Sequence, residues 1–106
     1  MKRGDLITVA VSGDYGKPRP ALVVQADAFN EHPSVIVLPL TSEIHDTPLF
    51  RVAVAANSRT GLRKASQIMV DKATTVPRAK LGARIGRVDA ATLDAVNEAM
   101  RGFLGL

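Results

Sequence analysis

Gly16-Lys17-Pro18-Arg19-Pro20-Ala21-Leu22-Val23-Val24 joins a proline-flanked arginine to an apolar, β-branched run. The two prolines hold the backbone extended on either side of Arg19, and each removes an amide donor. The run that follows predicts a buried strand over 20–25. Arg19 is then expected at the rigid mouth of a core strand. A fixed planar guanidinium there suits a phosphate or a carboxylate. The alternative is plain pairing with a nearby acid such as Asp5 or Asp27.

Outward from that stretch, alternation predicts a first strand over Leu6 to Val11, with Ile7, Val9 and Val11 on one side and Leu6, Thr8 and Ala10 on the other. Ser12 to Gly16 reads as a loop with two glycines. Downstream, 27–33 reads as a polar connection with Phe29 tucked beneath it. A third strand is expected over 34–40, its Pro39 end at a sheet edge because proline gives the ladder no donor. Fourth and fifth strands are expected over 49–55 and 65–71, joined by a turn around Asn57 to Gly61. Beyond Pro77, 78–81 reads as a short helical turn and 85–88 as a short extended piece. Asp89 reads as the N-cap of a helix over 90–103 that carries Leu93, Val96, Met100 and Phe103 on one stripe and is stopped by Gly105. Short strands followed by one amphipathic helix predict a mainly β fold, a small curled sheet or barrel packed by a C-terminal α-helix.

The 106 residues predict one domain spanning 1–106. No cysteine is present, which excludes a disulfide framework and a thiolate metal site and fits a reducing cytoplasm. The N-terminus lacks a signal-peptide pattern, and no window has the length of a membrane span. Aromatic residues make up only 4%, so platforms for stacking nucleobases are scarce.

The net charge of +4 is unevenly placed. Residues 1–53 carry net −1 and residues 54–106 net +5. Between Asn57 and Val88 stand Arg59, Arg63, Lys64, Lys72, Arg78, Lys80, Arg84 and Arg87 against Asp71 alone. Such a run suits a polyanion, either nucleic acid or an acidic protein; otherwise it is a solvated face.

His32 and His45 are the only histidines and have no partners at ligand spacing, so no metal site is expected. Neither a nucleophilic triad nor a phosphate loop has its signature here. The remaining candidates are Arg19, the Thr41-Ser42 pair at a strand end, and Asp71. An arginine, a hydroxyl and a carboxylate can handle a phosphodiester without metal. RNA brings its own nucleophile in the 2′-hydroxyl. Each candidate also has a plain structural alternative: Thr41-Ser42 as a strand terminus, Asp71 as counter-ion of Lys72 or Arg19, and Gln67 facing solvent instead of a base edge.

The order Arg3-Gly4-Asp5, Gly16 to Val24, Val35-Ile36-Val37-Leu38-Pro39-Leu40-Thr41-Ser42, Gly61-Leu62, Val70-Asp71 and Ile85-Gly86-Arg87 resembles the MazF/PemK family of toxin endoribonucleases over nearly the whole chain. The resemblance implies an SH3-like barrel, a homodimer, and metal-independent cleavage of single-stranded RNA at short sequences, with no cofactor. The products would be a 2′,3′-cyclic phosphate and a 5′-hydroxyl. It also implies a cognate antitoxin with an acidic segment that covers the site.

By position, Arg19 matches the family's catalytic arginine and Thr41 its catalytic threonine. Ser42 lies in the same phosphate-contacting corner, and Ser12 to Lys17 matches the gating loop. Asp71 matches an acid used in one branch, where an arginine stands two residues earlier; here that place is Met69. The catalytic set implied is Arg19, Thr41 and Asp71, with RNA contacts from Lys17, Ser42, Gln67, Arg63, Lys64 and Lys72. Arg19 stays protonated and is no general base. Two alternatives share this fold: a CcdB-like gyrase poison, and a homologue that binds RNA or antitoxin without cutting.

Overall fold

The computed structural model describes residues 1–10 and 17–106. Val11 at the end of the first expected strand, and the Ser12 to Gly16 part of the expected loop, lie outside them. Among the described residues seven strands form one sheet: β1 (Asp5–Ala10), β2 (Pro18–Val23), β3 (Ser34–Thr41), β4 (Arg51–Val54), β5 (Ser66–Met69), β6 (Thr74–Pro77) and β7 (Leu81–Arg87). One helix, α1 (Ala90–Leu104), ends the chain. The strand order is β4-β5-β3-β2-β1-β7, with β6 also on β3, and every pairing is antiparallel. The sheet is barrel-like without closing, since β4 and β7 end its hydrogen-bonded path.

Alternation along the central strands builds two cores, one on each face. Leu6, Leu22 and Leu38 stand in register across β1, β2 and β3, and all three are fully buried. They join Leu40, Val52, Ile68, Val70 and the helix residues Val96 and Ala99 in one cluster. Ile7, Val9, Ala21, Val23, Val35, Val37 and Val76 form the other. Each such side chain removed from water contributes about 1.5–3 kcal/mol. The sides expected for Leu6, Ile7 and Val9 are the sides observed.

Several boundaries differ from expectation. β2 begins at Pro18, so Arg19 lies within the strand, opposite Val9, and not at its mouth. The prolines are tolerated because β3 pairs with β2 only from Ala21 to Val23, leaving residues 18–20 with β1 as their paired neighbour. Pro39 is not at a sheet edge. It stands where β3 changes partners, from β6 at Ser34–Val37 to β5 at Leu40 and Thr41, so its missing donor breaks no ladder there. Phe29 is not tucked under its connection; it is exposed and follows Asp27 in a short 3₁₀ turn. β4 starts only at Arg51, leaving Leu49 exposed, and 70–72 forms a 3₁₀ turn instead of extending β5. β6 was not expected, and β7 is longer than the 85–88 piece.

Asp89 caps α1 by accepting the Thr92 N–H at 2.8 Å, and Gly105 closes it at φ 73°. Arg3 ties the helix to the sheet: its Nε donates to the Val24 carbonyl and its Nη2 to Asn97 Oδ1. No helix among the described residues is long and apolar enough to cross a membrane.

Candidate functional site

A broad open groove runs where β2 and β3 part company. Pro18, Arg19 and Pro20 line one side, and Pro39, Leu40, Thr41, Ser42 and Glu43 the other. The prolines that lack donors are therefore the residues that let the two strands separate. Arg19 and Thr41, distant in sequence, share this groove. The Thr41 hydroxyl accepts the Glu43 N–H at 3.1 Å, which leaves its own proton to donate.

A second wall comes from Gly61, Leu62, Arg63, Lys64 and Ile85. It is held rigidly. Buried Thr60 donates to the Ala55 carbonyl at 2.8 Å, while Asn57 Oδ1 accepts the N–H groups of Arg59 and Thr60, both at 2.9 Å. Gly61 has φ 68°, and a Cβ there would stand 1.9 Å from the Ile85 carbonyl oxygen. A Cβ on Gly86 would stand 2.3 Å from Thr60 backbone. Only glycine permits this approach of loop and strand, and it is this approach that sets Arg63 and Lys64 at the groove. Met69, Lys72, Ala73 and Thr74 complete the lining.

The groove thus gathers Arg19, Arg63, Lys64 and Lys72 around Thr41 and Ser42. Among the described residues its single acid is Glu43, and no aromatic ring lines it. The basic run does not form one face, however. Arg84 Nε and Arg87 Nη1 lie 3.1 and 2.8 Å from Asp5 Oδ1, and Arg78 Nε donates to the His32 carbonyl at 2.7 Å. These guanidiniums are engaged by partners within the chain, although the Arg84 and Arg87 side chains remain well exposed. Burial raises the Asp5 carboxyl, but the Lys2 N–H, Arg84 and Arg87 outweigh it and hold the pKa below the ordinary carboxylate range.

The structure keeps three expected site residues, Gln67, Asp71 and Lys17, out of the groove lining. Gln67 is buried opposite Thr41, and its amide is spent on His45: Nε2 donates to the His45 carbonyl at 2.6 Å and Oε1 accepts the His45 N–H at 3.1 Å. It neither faces solvent nor presents a free edge. Asp71 meets Arg51, Nε to Oδ1, at 3.4 Å, not Lys72. Lys17 is exposed just before β2 and is likewise not part of the lining. Sequence reasoning missed Glu43, Arg51 and Thr60. For Glu43 the available signal was its place directly after Thr41-Ser42; Arg51 and Thr60 act through partners that no local pattern marks.

Residues 2–104 match the family model described as PemK-like, MazF-like toxin of type II toxin-antitoxin system. A probable endoribonuclease MazF of Mycolicibacterium smegmatis is 43% identical, the match covering 100% of this chain and 98% of that protein. Endoribonuclease EndoA of Bacillus subtilis is 30% identical over 100% of this chain and 96% of its own length. Among solved structures, Mycobacterium tuberculosis toxin MazF-mt6 superposes with a TM-score of 0.83 at 26% identity, covering 96% of this chain and 97% of that one. A mycobacterial endoribonuclease solved with its cognate antitoxin has the same fold, with a TM-score of 0.83 at 24% identity over 100% of this chain and 96% of that one.

Proposed function

The chain belongs to the PemK-like, MazF-like toxins of type II toxin–antitoxin systems, and from that premise we propose that it is an endoribonuclease that cuts single-stranded RNA in the groove between β2 and β3. The observation that carries this reading is the meeting of Arg19 and Thr41 in a groove lined by three further cations. The RNA 2′-oxygen bonds to the adjacent phosphorus as its proton passes to solvent, and the P–O5′ bond breaks, the leaving 5′-oxygen taking a proton from solvent to become a 5′-hydroxyl. Arg19 stabilises the charge gathered on the phosphoryl oxygens, where a preorganised donor counts most. Thr41 donates a hydrogen bond from its hydroxyl to a phosphoryl oxygen, and Ser42 stands beside it. Arg63, Lys64 and Lys72 hold the flanking phosphates, with Lys17 at the approach.

Asp71 contributes by anchoring Arg51 and the 3₁₀ turn that carries Lys72, and Gln67 by fixing the backbone after Thr41. The same cations suit an acidic segment of a cognate antitoxin, the partner seen with the mycobacterial relative. Exposed Leu49, next to Phe50, and the exposed C-terminal Phe103, Leu104 and Leu106, with the Phe103 ring 5.8 Å from that of Phe50, favour a protein contact, that of the homodimer. The cytoplasm, where RNA is met, is the expected site of action. The relatives give no support to gyrase poisoning or to a non-cleaving role.

The test is incubation of the purified protein with a long single-stranded RNA in EDTA, beside Arg19→Ala, with mapping of the ends. Discrete cuts that bear 2′,3′-cyclic phosphate and vanish in the variant are expected. Intact RNA from folded protein would overturn the reading.

A further inference from the structure

Glu43 is out of place in a groove built for phosphates. Four cations line the groove, and among the described residues this is the one carboxylate that does. A carboxylate repels phosphate, so a strand bound here turns its backbone toward Arg19, Arg63, Lys64 and Lys72 and away from Glu43. What then faces Glu43 is a base. The side chain is 81% exposed and, among the described residues, lies 3.7 Å from His45 Nε2. Its backbone, by contrast, is fixed on both sides. The Glu43 N–H is bound by the Thr41 hydroxyl, and the backbone of His45 is clamped at N–H and carbonyl by buried Gln67. A short strap, pinned at both ends and next to Thr41, therefore holds a residue with an acceptor-only side chain at the groove lining.

We propose that Glu43 is a specificity-determining residue that accepts hydrogen bonds from the Watson–Crick edge of a guanine beside the bound phosphate. This rests on the ribonuclease reading for the identity of the polyanion. The choice of base follows from donor patterns. A carboxylate offers two acceptors and no donor. Guanine alone presents two adjacent donors, N1–H and the N2 amino group. Adenine and cytosine set one amino group beside a ring acceptor, whose lone pair opposes the second carboxylate oxygen. Uracil sets its N3–H between two carbonyls. With no aromatic in the described lining, no ring there holds a base by its face, and recognition falls to hydrogen bonds at the base edge.

The experiment is fluorescence anisotropy with 2′-O-methyl RNA heptamers, uncleavable and all uridine except for a central G, A, C or U. Wild type should bind the central-G probe about tenfold or more tighter than all-U, the scale of one good bidentate pair. Glu43→Ala should flatten that preference and bind all-U more tightly, because repulsion is removed. Glu43→Gln should move the preference to adenine, which pairs bidentately with an amide. A purely electrostatic role would instead raise all four affinities together in both variants. That result, equal binding of G and U by wild type, undiminished preference in Glu43→Ala, or no binding of any probe, would overturn the proposal. Cleavage of unmodified RNA in EDTA is scored separately. Loss of cleavage with intact discrimination removes the nuclease reading and leaves the guanine reader standing.

Discussion

Arg51 and Asp71 are joined across the β4–β5 ladder, Nε to Oδ1 at 3.4 Å, from a position directly opposite Met69. Met69 stands two residues before Asp71, and the arginine that pairs with this acid comes from the neighbouring strand. The two side chains are 14% and 17% exposed, and the pair fastens the turn that carries Lys72. Asp71→Asn should therefore cost about 1–3 kcal/mol of stability, the scale of a partly buried group left without its partner. RNA affinity should weaken while kcat at saturating RNA stays close to wild type. Urea unfolding and single-turnover kinetics check both, and a kcat loss matching that of Arg19→Ala would make Asp71 a participant in the chemistry.

Arg19→Ala should lower kcat by about 10²–10³, roughly 3–4 kcal/mol in the barrier, with little change in the unfolding midpoint because the side chain is exposed. Thr41→Val should lower the rate as well, and Thr41→Ser should restore most of it, since only the hydroxyl is needed. Rate measurements on one RNA, with thermal unfolding beside them, decide it.

Two glycines should respond in opposite directions. Gly86→Ala would drive a Cβ to 2.3 Å from Thr60 backbone, which cannot yield as a flexible side chain would. Severe destabilisation is expected, together with loss of the wall that carries Arg63 and Lys64. Gly102 lies within α1 with nothing within 4 Å of a Cβ, so Gly102→Ala should stabilise by about 0.4–1 kcal/mol. Denaturant midpoints give both signs.

Asp5 makes stability depend on pH in a defined direction. Its folded pKa is lowered, so its contribution is complete above the ordinary carboxylate value of 3.8 and is lost as pH falls through the lower folded value. The stability gap between wild type and Asp5→Asn should hold from neutral pH down to about pH 4 and then close in stronger acid. A gap that stays constant to pH 2 would show that the Asp5 charge, set between Arg84 and Arg87, contributes nothing.

How far each feature could be read depended on the range over which its cause acts. Alternation placed Leu6, Ile7 and Val9 on their proper faces because a strand's period is a local property. The Asp89 cap and the Gly105 stop were legible for the same reason. Thr74–Pro77 escaped as a strand because four residues ending in proline carry too short a pattern. Phe29 was misplaced because hydrophobicity alone does not say whether a connection has room beneath it.

Sequence by itself determined the two-faced strands, the capped helix, the family, and Arg19 and Thr41 as candidates, since residue type, order and spacing carry all of these. Only the tertiary structure decided which candidates meet. Pro20 and Pro39 look like strand breakers in isolation; in the sheet they stand where β2 and β3 separate, and that separation is the groove. Gln67 and Asp71 look like free polar groups until partners 22 and 20 residues away engage them. A side chain's chemistry is local, but whether it is available depends on what the chain brings against it.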